Sequence, residues 1–66
     1  MSIAKVIEVL AEGATIEEAV ESAVSEASKT VKNIRHVYVN EVQGIVENNS
    51  VAKYRVNAKV TFVVGD

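Results

Sequence analysis

Three side chains in this sequence have the chemistry to hold a bound molecule: His36, Tyr38 and Arg55. His36 is the one imidazole of the chain, a small ring that can stack, donate or accept. Tyr38, two residues on, offers a larger ring with a hydroxyl. Arg55 sits between Lys53 and Lys59 at strand spacing and offers a donor-only fork that suits a phosphate or a carboxylate. Each has an ordinary alternative. His36 can be a solvated side chain, Tyr38 a packing residue at the rim of an interface, and Arg55 the partner of acids on another copy of the chain. Catalysis has no comparable candidates. There is no Cys, no Asp before Asp66, and no Ser or Thr set beside His36 with a third orienting group, so a non-enzymatic protein is expected. Thiolate and multi-histidine metal sites within one chain are excluded by the same counts. Calcium needs six to eight oxygens, and the one oxygen-rich turn, Glu47-Asn48-Asn49-Ser50, is no EF-hand loop.

Those residues must be positioned by very little protein. The chain has 66 residues and a mass of 7.1 kDa, so residues 1–66 form one domain. A chain of this length buries about 60% of the surface its unfolded form exposes, and its own core is marginal. With disulfides excluded, self-association is the expected means of support. Six Glu and one Lys lie in residues 1–28, and six of the seven basic residues lie in 29–66. The net charge of −2 and the three aromatics argue against nucleic acid as a partner. No apolar run approaches the ~20 residues of a membrane span, and Met1-Ser2-Ile3-Ala4-Lys5 does not begin a secretion signal, so a cytoplasmic location is expected.

Periodicity supplies the elements. Residues 3–10 are short and rich in Val and Ile, which predicts a strand, and Gly13 breaks the pattern. Thr15-Ile16-Glu17-Glu18 fits a capping box at the start of a helix. Ile16, Ala19, Val20, Ala23, Val24, Ala27 and Val31 make its apolar stripe, Lys29 and Lys32 sit late to suit the dipole, and Asn33 ends it. Residues 34–46 and 51–64 predict two long strands joined by a turn at Asn48-Asn49, where Asn tolerates positive φ. A two-residue loop pairs Val39 with Ala58 and Val37 with Val60 on an apolar face. The polar face then pairs His36 with Thr61, Tyr38 with Lys59, Asn40 with Asn57 and Val42 with Arg55, with a bulge expected near Gly44. The result is an α+β fold of order β-α-β-β. A three-stranded antiparallel sheet, its first strand paired with the last, packs one helix on its apolar face.

Four stretches stand in the order first strand, helix start, segment after the helix and last strand: Lys5-Val6-Ile7-Glu8-Val9, Thr15-Ile16-Glu17-Glu18-Ala19, Ala27-Ser28-Lys29-Thr30-Val31-Lys32-Asn33-Ile34-Arg35 and Tyr54-Arg55-Val56-Asn57-Ala58-Lys59-Val60-Thr61-Phe62. In these stretches and this order the chain resembles the dodecins, small β-α-β-β proteins that assemble into hollow homododecamers and bind flavins. The resemblance implies a non-enzymatic shell that binds or stores a small ligand, with FMN, riboflavin or FAD as the family cofactor. It places His36 where flavin-binding members carry a stacking tryptophan, and Arg55 where they carry a glutamine that meets the polar edge of the ring. Members without the tryptophan form a further branch, for some of which calcium has been proposed. A calcium-associated member without flavin and a purely structural shell are the alternatives this implies.

Overall fold

The computed structural model describes residues 3–65. Met1 and Ser2, which open the segment read for a leader, and Asp66 lie outside them. The elements are β1 (Ile3–Gly13), α1 (Ile16–Ala27), β2 (Ile34–Glu47) and β3 (Ser50–Val64). The sheet is antiparallel with order β1-β3-β2, so the last strand is central and the first lies beside it, as the pattern predicts.

Two boundaries differ from the sequence expectation by more than one residue, while β2 and β3 each reach one residue further into the turn, to Glu47 and Ser50. β1 runs past Leu10 to Gly13, because Ala11, Glu12 and Gly13 find partners in Val56, Arg55 and Tyr54 of the longer central strand. Gly13 is a close approach rather than a break. A Cβ there would stand 2.5 Å from the Ala19 amide nitrogen and 2.8 Å from the Glu18 carbonyl carbon, so glycine lets the helix start lie on the end of the strand. The helix, in turn, stops at Ala27 and not at Asn33. The Thr30 and Val31 amides both donate to the Ala27 carbonyl, at 3.1 and 3.0 Å. The Ser28 hydroxyl donates to the Ser25 carbonyl and that of Thr30 to the Ala27 carbonyl, so these side chains compete for helix acceptors. Lys29 therefore lies beyond the last turn, paired with Glu26, and no basic residue meets the dipole's negative end. Asn33 has φ of 63°, and its carbonyl accepts from the Val63 amide at 3.1 Å, which turns the chain into β2. The start of the helix is as read: the Thr15 hydroxyl accepts from the Glu18 amide, and the Glu18 carboxylate accepts from the Ala14 amide, one residue before the cap.

The hairpin turn holds Asn48 and Asn49 at φ of 53° and 64° and pairs Glu47 with Ser50. His36, Val37, Tyr38 and Val39 face Thr61, Val60, Lys59 and Ala58, as expected. The middle of the hairpin is shifted by one. Arg55 faces Gln43 and not Val42, and Asn57 faces Glu41 and not Asn40. The shift enters between Ile45 and Val46, where Ala52 is the extra residue on β3, and leaves at Asn40 on β2. The bulge lies beside Gly44 and not at it, for Gly44 itself pairs with Tyr54. A third irregularity falls at Arg35. The physical reason is parity. Ile34, then Val37 and Val39, then Val42 alternate out of step along β2. The irregularities at Arg35 and Asn40 bring all four opposite the apolar residues of β3, where a regular ladder would strand half of them on the wrong face.

The helix lies over β1 and β3 and barely over β2. Among the described residues the buried core is Ala19, Ala23, Ala27, Val56, Ala58, Val60 and Phe62, and its largest fully buried side chains are two valines. The chain exposes 4717 Å², against roughly 4,100 Å² for a compact monomer of its mass. It is elongated, 52 × 18 × 14 Å.

Candidate functional site

The face of the sheet away from the helix is uncovered. Along it β3 presents Lys53, Arg55, Asn57, Lys59 and Thr61, the residues between its buried Val56, Ala58 and Val60. β1 sets Glu12, Leu10, Glu8 and Val6 beside the last four of these, and β2 sets Gln43, Glu41, Tyr38 and His36 on the other side. Three large side chains here lie open: Leu10 (69% exposed), Tyr38 (62%) and Val6 (57%). Apolar area of this kind beside charged rows is the surface of a site or an interface.

Two of the expected site residues are neighbours. His36 and Tyr38 are both exposed, alternate along β2 and face Thr61 and Lys59. Arg55 is elsewhere, six residues along β3 from Thr61, which at ~3.3 Å per residue is about 20 Å. One chain does not bring all three together.

Arg55 has an acid partner in its own chain. Its Nε and Nη2 both donate to Oε2 of Glu12, at 2.9 and 2.7 Å. Lys53 Nζ holds the other oxygen of the same carboxylate at 3.0 Å. The guanidinium, and after it the Lys53 ammonium, hold the Glu12 carboxyl below its ordinary 4.5. Sequence reasoning missed Glu12 because it ended the first strand at Leu10, three residues short of its end at Gly13; the signal was the unpaired length of the third strand. It also missed Asn57, whose Oδ1 is buried with no hydrogen-bond partner. The Glu47–Ser50 turn is a tight reversal whose Ser50 hydroxyl donates to the Glu47 carbonyl. Among the described residues no three His, Asp or Glu side chains gather to hold a metal ion, and no pocket is enclosed. No helix among them is long and apolar enough to cross a membrane.

This arrangement of one helix on a β1-β3-β2 sheet, with its uncovered face, matches a known family. The family model for dodecin matches residues 3–65. The chain belongs to the dodecin family. Solved dodecins share the fold over nearly their whole length. One from Streptomyces coelicolor is 29% identical with a TM-score of 0.90, covering 98% of this chain and 94% of that one. A substituted dodecin from T. thermophilus is 24% identical with a TM-score of 0.91, covering 100% and 98%. A dodecin from Streptomyces davaonensis is 23% identical with a TM-score of 0.90, covering 98% and 97%. Among curated protein sequences none matches the chain. The dodecin resemblance of the residues is thus borne out, and with it the β-α-β-β fold class.

Proposed function

We propose that this dodecin-family chain is a non-enzymatic small-ligand-binding protein that works as a hollow homododecamer, with the ligand held between copies. The observation that carries the reading is the uncovered sheet face, where His36 and Tyr38 stand exposed beside open Val6 and Leu10 over a core of alanines and valines. A ring ligand stacks there, and Arg55, about 13 Å along β3 from the level of Tyr38 and about 20 Å from that of His36 on its own chain, reaches it only from a second copy whose face is turned towards the first. The family ligand is flavin. Imidazole gives a smaller stacking surface than indole, and arginine cannot accept, so this site holds a flavin less tightly than one with Trp and Gln.

Titration of FMN, riboflavin and FAD by fluorescence quenching tests this. Quenching by the native protein, strengthened about ten-fold in His36→Trp with Arg55→Gln, is expected; unchanged affinity in the double variant places the site elsewhere. A calcium-associated shell would lose thermal stability on chelation while ignoring flavin, and a shell without ligand would respond to neither.

A further inference from the structure

We infer that Glu12 is a positioning residue for Arg55 and that Glu12, Lys53 and Arg55 together form a subsite for an oxyanion, a carboxylate or phosphate group of a small ligand. The inference rests on reading Arg55 as a ligand contact, but not on which ring meets His36 and Tyr38.

Five N–H donors fan out from a guanidinium. Glu12 takes one side of the fan, with Nε and Nη2 sharing Oε2 at 2.9 and 2.7 Å. That leaves three donors that Glu12 does not engage, both on Nη1 and the second on Nη2. Two of them, one on each Nη, lie along the end of the group, the edge that meets two oxygens of a carboxylate or phosphate at once. A free arginine on a surface strand would lose side-chain entropy on presenting that edge; one already clamped on its side has lost it beforehand. Charge points the same way. One carboxylate shared by two cations, with Lys53 Nζ on Oε1 at 3.0 Å, leaves the triad one unit positive. Lys53 thus keeps Glu12 from cancelling Arg55. The three side chains are between a third and a half exposed, so solvent and ligand reach them. The residues opposite are Gln43 for Arg55 and Ile45 for Lys53, and neither brings an opposing charge.

Calorimetric titration of the assembled protein with inorganic phosphate, against chloride at fixed ionic strength, tests both halves. Saturable phosphate binding is expected, weakened about ten-fold in Arg55→Lys, which keeps the charge and loses the fork. Glu12→Gln separates orientation from electrostatics. It makes the site more positive, so a mere charge effect would tighten phosphate, whereas loss of the clamp weakens it by roughly three-fold or more. Unchanged or tighter binding in Glu12→Gln overturns the positioning role, and no phosphate binding by the native protein overturns the subsite. Sedimentation of each variant in the same buffer gives the third arm. If Arg55→Lys dissociates the assembly, the oxyanion is a carboxylate of another copy, and the small-ligand subsite is overturned. Phosphate binding without flavin quenching leaves this inference standing and removes the ring ligand of the proposed function.

Discussion

Glu12 is where charge, register and packing meet. It is the last residue but one of β1, faces Arg55 across the ladder and stands next to Gly13, on which the helix start rests. Its carboxyl is held below its ordinary value, so the native state binds that proton less readily than the unfolded chain. The contribution of the ionised triad is therefore present above about pH 4.5 and is lost as pH falls through the lower native value. Melting curves of native protein and Glu12→Gln are expected to differ at pH 7 and to converge as the pH drops below 4; a gap independent of pH would mean the ion pairs contribute nothing. The neighbouring glycine makes a steric prediction. In Gly13→Ala the new methyl meets backbone, which cannot swing away, and a loss of about 1–3 kcal/mol is expected from denaturant unfolding. Thr15→Ala removes a helix cap and is expected to cost about 1 kcal/mol in the same assay.

At the scale of elements, what could be read from the sequence was what periodicity and turn chemistry encode. Thr15 and Glu18 mark the helix start, and the strict alternation of Val56, Ala58, Val60 and Phe62 marks the central strand. Asn48-Asn49 marks the hairpin, and its backbone requires positive φ at both residues. Replacing Asn49 by valine is expected to destabilise by roughly 1–2 kcal/mol, whereas Asn49→Gly is tolerated; equal stability of the two would contradict the turn geometry. What could not be read belongs to partners far apart in the chain. Leu10 looked like the end of a strand until the length of β3 supplied partners for Glu12 and Gly13. Val31 fits the helical stripe, yet the chain must leave the helix by Ala27 to turn back through Asn33. The shifted pairing of Arg55 with Gln43 was latent in the change of parity between Val39 and Val42, which a regular ladder cannot satisfy. The pairing of Arg55 with Glu12 depends on the extension of β1 along the longer β3, and so the site was the least visible part.

The whole molecule is two layers, helix and sheet, with the third layer of a sandwich missing. Three alanines of the helix meet valines and one phenylalanine of the sheet, and the reverse of the sheet has no cover. The surface left exposed exceeds that of a compact protein of this mass; Val6 and Leu10 stand open on that reverse face, and Val42 and Val46 on the helix side of β2, which the helix barely covers. In the proposed assembly, further copies supply the missing layer and at the same time bring His36 and Tyr38 of one chain towards Arg55 of another, so that assembly and ligand binding share one surface. Sedimentation velocity at low micromolar concentration tests this most directly. A single large assembly is expected, with no folded species at the 7.1 kDa of one chain until denaturant disperses it. A stable, folded 7.1 kDa particle would contradict it, and with it the site between copies.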